Sequence, residues 1–197
     1  MLAIRSFETN PPHVLDMMRE RRAVDPAQYN QEPISHDELK QILEAANWAP
    51  THRRTEPWRF HVFHSLESRQ RLADFLVDTY DRITENPKQI KRKKVGDKPL
   101  QSGAVLAICY QRDAEERVPE WEEIAATAMG VRKLWLQAHS MGIGGYWSSP
   151  ALKDHMGDLL ELQKGEVCLG FFYLGKYEGS TADGIRNSGI DQKTTWY

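Results

Sequence analysis

Apolar residues recur along this chain with two periods, and the changes of period mark the elements. Residues 13–22, "HVLDMMRERR", put Val14, Met17 and Met18 on one inward side of a short helix. The loop "AVDPAQYNQEP" follows. "SHDELKQILEAANW" is the clearest helical run, with Leu39, Ile42, Leu43 and Ala46 on one apolar face. Ser35 and Glu38 have the spacing of a capping box, and Pro50 stands just past the end, where a helix stops. "WRFHVFHS" reads as a strand with Phe60, Val62 and His64 on one face. Helical spacing returns over 66–83 through Leu72, Phe75, Leu76 and Ile83, whereas the basic run "NPKQIKRKKVGDKP" has no clean period.

The second half alternates long elements. "SGAVLAICYQ" is continuously apolar and predicts a strand buried on both faces. Residues 119–141 predict a long helix with small residues in its middle. "GIGGYWSSP" predicts a glycine-rich turn into a short extended piece, "ALKDHMGDLLEL" a helix, and "GEVCLGFFYLGKYE" a long buried strand. The tail "SGIDQKTTWY" ends in strand-forming threonines and two aromatics. With no internal repeat and no linker, the chain reads as one mixed layer domain over residues 1–197.

Composition narrows the class. A chain that is 40% hydrophobic and 27% charged can build a core, and a net charge of -2 gives no general attraction to nucleic acid or to an anionic membrane. No run reaches the ~20 apolar residues of a membrane span, and "MLAIRSFETNPPHV" lacks the apolar centre of a signal peptide. Cys109 and Cys168 sit in apolar runs without a CxxC pair. They read as buried reduced thiols of a cytoplasmic protein.

Three stretches carry candidate chemistry. Arg21 and Arg22 offer paired guanidinium forks suited to phosphate, although a solvated helix end is their ordinary use. "APTHRRTEPWRF" joins a helix to a strand with Trp58 as anchor and with His52 and Arg53 on the connection. Its ordinary reading is a packed loop with one satisfied histidine. Gly142, Gly144 and Gly145 permit close backbone approach to a ligand, or, more plainly, a helix cap and a turn. The stretch is not GxGxxG and follows a helix, so the dinucleotide fingerprint fails. The histidines lack metal-ligand spacing, and the lysines of 88–98 read as a solvated face.

Taken in order, RR near the start, "LEAANWAPTHRRTEPWRF", a buried strand, a long helix, "MGIGGYWSSP" and "CLGFFYLGKYE" resemble the nitroreductase family in its compact branch, over nearly the whole chain. The resemblance implies an α+β nitroreductase-like fold with a central mixed β-sheet flanked by helices. It further implies an interlocked homodimer with FMN at the subunit interface and NAD(P)H as co-substrate. Arg21, Arg22 and Ala23 match the family's first flavin contact, Trp48 and His52 the contacts at and after the helix end, Trp147, Ser148 and Ser149 the segment along the flavin, and Arg186 the late phosphate position. The implied activity is ping-pong reduction of nitroaromatics, quinones or related electron-poor molecules. The flavin carries that chemistry, so no catalytic side chain and no metal are nominated. Two departures stand out. Ala23 replaces the usual serine, and Asp25 stands where relatives carry a cation. The alternative reading is a dimeric flavin-binding protein without turnover.

Overall fold

A computed structural model describes residues 13–197; residues 1–12, which hold most of the segment read for a signal peptide, lie outside it. Helices α1 (His13–Glu20), α2 (His36–Asn47), α3 (Leu66–Ile83), α4 (Gln89–Gln101) and α5 (Glu120–Ser140) surround strands β1 (Trp58–Phe63), β2 (Ala104–Gln111), β3 (Ile143–Ser148) and β4 (Glu166–Lys176). The sheet order is β1-β2-β4-β3. All three ladders are antiparallel, and the mixed character expected of the sheet is limited to one isolated parallel bridge, Ala23 beside Gly145.

The two-faced burial of β2 follows from its alternation. Leu106 and Ile108 face a core layer with Ile42, Leu134 and Phe172 from α2, α5 and β4. Val105, Ala107 and Cys109 face the opposite layer with Leu72, Leu76, Met156 and Phe171. A strand covered by helices on both sides has no polar face, whatever its pairing direction. The capping box of α2 forms as the sequence predicts: Glu38 N–H donates to Ser35 Oγ at 3.2 Å, and Ser35 N–H donates to Glu38 Oε2 at 2.6 Å.

Several local expectations differ. The basic run is not irregular: it forms α4, in which Arg92 pairs with Asp81 and Lys93 with Asp97. Packing along α3 and these ion pairs supply what its sequence periodicity lacks. "ALKDHMGDLLEL" forms a 3-10 turn over Ala151–Asp158 and does not continue as a helix. Val14 and Met18 of α1 point outward, with only Met17 half-buried, because a single chain does not cover that face. Phe60, Val62 and His64 do share a face, but it lines an open groove of about 660 Å³ against α2 instead of the core.

The glycine-rich turn is explained by packing. Gly142 caps α5 with φ of 72°. A Cβ on Gly145 would lie 2.7 Å from the rings of Phe172 and Trp135, so side chains, rather than a ligand, occupy the space that glycine leaves.

Candidate functional site

Residues 21–30 cross the end of the sheet and fix the first candidate residues. Val24 N–H donates to the Gly145 carbonyl at 3.1 Å. The buried Tyr29 hydroxyl bonds the carbonyls of Val24 and Tyr173 at 2.9 and 3.1 Å. Tyr29 lies so close over Gly175 that a Cβ there would come within 2.2 Å of its ring, which makes that glycine obligatory. Tyr29 is thereby a clamp that holds the Arg21–Ala23 segment beside β3.

Arg21 lies with its guanidinium carbon 4.1 Å from the centre of the Trp135 ring. Its Nε and Nη1 atoms are buried and have no hydrogen-bond partner among the described residues. Burial lowers the Arg21 pKa from its ordinary value, and the neighbouring charges of Arg132, Arg22 and Arg186 lower it further. Burial and Arg186 act the same way on Arg132. Three chain segments therefore bring four arginines together, and among the described residues none of the four has a carboxylate partner. His139 is part of the same surroundings: burial lowers its pKa, Glu20 opposes, and Arg21, Arg22 and Arg132 lower it again.

Within the cluster the roles divide. Arg22 spends its donors on backbone: Nε reaches the Ala182 carbonyl at 2.9 Å and Nη1 the carbonyls of Arg19 and Arg21. It also lies against Gly184, where a Cβ would meet its guanidinium at 2.5 Å. Arg22 thus docks the tail and carries Arg186 toward Arg21. Arg132 was missed by sequence reasoning. Its only signal is a position on the long helix, one turn before Trp135.

Ala23 is exposed and joins β3 through its bridge to Gly145. Trp147 and Ser148 follow on β3, paired with Phe172 and Phe171, and Ser149 leads away from the strand. The buried Trp147 Nε1 is a second donor without a described partner. Ser148 also borders a cavity of about 210 Å³ with Lys91, Lys94 and Lys98 of α4, backed by Leu152 and Tyr173. Lys98 Nζ stands 4.4 Å from the centre of the Tyr146 ring. The part of the basic run left unpaired by α4 therefore faces the end of β3.

Asp25 has a local structural role. Its carboxylate accepts from Ala27 N–H at 3.1 Å, and its own N–H donates to Gln28, which makes it the cap of the turn Pro26–Gln28.

His52 lies apart from the arginines, whereas Trp48 borders a groove with Met17 of α1 and Lys133 and Gln137 of α5. Trp48 is 74% exposed at the end of α2, with its indole donating to Glu44 at 2.8 Å. His52 pairs through Nδ1 with Glu122 at 2.6 Å, near the start of α5. Ten residues of helix, about 15 Å of rise, separate Glu122 from Arg132. The connection that bears His52 is strained: Arg53, Arg54 and Glu56 hold φ of 50°, 52° and 43°. Buried Trp58, donating to Asn47 at 3.3 Å, and the Thr51 hydroxyl, accepting from Glu56 N–H at 3.2 Å, keep it in place. Arg21, Arg22, Ala23, Arg186 and Trp147–Ser149 thus gather at the β3 side, His52 stands near the start of α5, and Trp48 is exposed beside the later part of α5.

Comparison with known proteins places the chain in a family. The model of the Nitroreductase family matches residues 18–176. A provisionally named NAD(P)H nitroreductase of Bacillus subtilis, YfhC, is 33% identical over 138 residues, covering 68% of each chain. YdjA of Escherichia coli, named in the same way, is 26% identical over 71% of this chain and 75% of its own. Among solved structures, a nitroreductase-like family protein from Bacillus cereus superposes with a TM-score of 0.80 at 23% identity, covering 99% of both chains. A provisionally named nitroreductase in complex with FMN from Desulfovibrio desulfuricans gives 0.72 at 21%, covering 96% of this chain and 98% of its own.

Proposed function

The chain belongs to the nitroreductase family, and from that premise we propose that it is a single-domain, dimeric FMN oxidoreductase that consumes NAD(P)H. The observation that carries the reading is the half-buried arginine cluster with unpartnered Arg21 nitrogens. Like charges held together away from water destabilise one another, and a phosphate dianion among them relieves both the repulsion and the unmade hydrogen bonds. The residues present therefore fit FMN at its phosphate end. Bound there, FMN supplies hydride acceptance from the nicotinamide and onward reduction of the acceptor.

The chain's part is to bind and orient. Arg21, Arg132 and Arg186 take the phosphate, and Arg22 holds the tail that delivers Arg186. The Ala23 N–H and the Trp147–Ser149 segment line the cofactor. His52, near the start of α5, and the exposed Trp48 serve the site of the second subunit. The exposed Trp196 and Tyr197, at 86% and 115%, together with the outward face of α1, are the apolar surface that such a dimer covers. Donor and acceptor use one cavity in turn, which gives ping-pong kinetics. The acceptors are nitroaromatics, quinones or other electron-poor small molecules. Lys91, Lys94 and Lys98 beside Ser148 favour an anionic ligand, NADPH over NADH among the donors. We place the protein in the cytoplasm, in keeping with its two free thiols. No described helix is long and apolar enough to cross a membrane.

A binder without turnover is the second reading, motivated by Asp25, whose carboxylate caps the turn Pro26–Gln28. The test is the visible spectrum of the purified protein, followed by anaerobic mixing with NADPH. A yellow protein bleached within seconds is expected. A colourless protein that fails to take up FMN overturns the proposal, and a yellow one that is not bleached establishes the binder instead.

A further inference from the structure

On the α3 side of the sheet, far in sequence from the arginines, three neighbouring strands direct polar side chains to one point. His61 of β1, Cys109 of β2 and Glu166 of β4 place Nε2, Sγ and a carboxylate oxygen within 4.8 Å of one another. The pairing register explains the convergence. Arg59 lies opposite Cys109, so His61 is diagonal to it on the same face, and Cys109 in turn lies directly opposite Cys168. His61 reaches across the central strand to Glu166 Oε1 at 2.7 Å. Cys168, buried opposite Cys109 on β4, directs its thiol to the Gly170 carbonyl at 3.6 Å. Glu166 Oε2 accepts from Gln163 N–H at 3.1 Å, which turns Oε1 inward.

We propose that His61, Cys109, Cys168 and Glu166 form a structural site for a divalent transition metal of the zinc class, clamping β1, β2 and β4. Two sulfurs, an imidazole nitrogen and a carboxylate oxygen are a zinc donor set. With metal–ligand bonds of about 2.0–2.3 Å, tetrahedral neighbours stand about 3.3–3.8 Å apart, so His61, Cys109 and Glu166 need only small side-chain shifts from their present separations, and Cys168 completes the set by turning its thiol from the Gly170 carbonyl. The donors sit on hydrogen-bonded strands rather than loops, so their spacing is held by the ladders. Glu166 already has the backbone partner that orients a ligating carboxylate. His61, half-exposed where the other three are buried, provides the entry path. Two thiolates, one carboxylate and a neutral imidazole leave a net charge of -1 around a 2+ ion. Binding displaces the thiol protons to solvent. Apolar packing alone does not call for a buried carboxylate beside two thiols.

The site does not depend on the flavin, so its test is separate from that of the proposed activity. Chelator-treated protein, with or without FMN, is titrated with Zn²⁺ against a chromophoric competitor, and zinc retained after gel filtration is measured by elemental analysis. One ion per chain is expected, with sulfur neighbours at about 2.3 Å in zinc-edge X-ray absorption. Cys109→Ser should weaken binding by about a hundredfold or more, Glu166→Gln and His61→Ala by at least about tenfold. His36→Ala, an exposed histidine elsewhere, should bind as the parent does. If Cys109→Ser fails to fold, the half-exposed His61→Ala carries the test. Zinc that is not retained, that binds undiminished to His61→Ala, or that shows only nitrogen and oxygen neighbours overturns the proposal.

Discussion

The two ends of α5 hold charge clusters of opposite character. Near its start, Arg112 and Arg117 have their partners in the chain. Arg112 pairs with the buried Glu123, whose other oxygen accepts from Asp113 N–H at 2.9 Å. Arg117 grips Asp113 through two bonds of 2.8 and 2.7 Å and holds that carboxyl down to about 2. Tyr110 is pushed up to about 12, first by burial and then by its bond to Glu120. Toward the far end, Arg132 meets Arg21 and Arg186 with no described carboxylate to balance them. Both clusters are rich in arginine, and composition does not separate them. A cluster that satisfies itself is architecture, because each charge is already compensated. One that leaves half-buried guanidinium nitrogens unmatched is built for something that arrives from outside.

The contrast can be broken most completely from the tail. Deleting residues 187–197 removes Trp196 and Tyr197, whose proposed burial against a second subunit would contribute several kcal/mol at about 25 cal/mol per Å². The expected result is a weakened dimer that loses FMN, read by sedimentation velocity at the flavin band. A truncated chain that remains a yellow dimer at low micromolar concentration removes the tail from the interface.

Single arginine substitutions sharpen it next. Arg21→Ala, Arg132→Ala and Arg186→Ala should each weaken FMN by roughly ten- to hundredfold, the loss of a charge-assisted bond of about 1.5–3 kcal/mol. Arg117→Ala, at the self-satisfied end, should leave the flavin titration unchanged and lower the melting temperature. If both ends affect flavin equally, the distinction between them fails.

A smaller effect is expected at α4. Lys91, Lys94 and Lys98 changed together to serine should raise KM for NADPH a few-fold more than for NADH, most visibly at low salt, where charges at this range are least screened. Arg92 and Lys93 are left in place because Asp81 and Asp97 already pair with them. Equal changes for both donors would assign the lysines no part in choosing between them. The smallest expected effect is that of Ala23→Ser, which adds one donor beside the cluster and tightens FMN by about 1 kcal/mol at most. Complete loss of flavin in this variant would mean that position 23 tolerates no added atom.

Short-range rules carried much of the fold. The α2 capping box, the buried β2 and β4, the anchor Trp58 and the cap at Gly142 all depend on residues within a few positions of one another, so spacing alone specifies them. The same rules failed at α4 and at residues 151–158, where contacts with distant segments decide between helix and other forms. Arg21, Arg22 and Arg186 were named from their motif positions, and Arg132 was not, because it is an ordinary helix residue until Arg21 and the tail fold against it. Asp25 shows the converse: its capping of the turn Pro26–Gln28 is a local role that its charge alone did not suggest.

The sequence by itself determined the periodicity, the caps and the order of motifs, since these are properties of neighbours along the chain. Only the tertiary structure decided which charges are matched and which donors meet. His61, Cys109 and Glu166 have no shared spacing, and Arg21, Arg132 and Arg186 none either. Strand register and helix packing bring each set together across more than a hundred residues. Charge balance and ligand convergence depend on distance in space, and that distance is set by the packed layers.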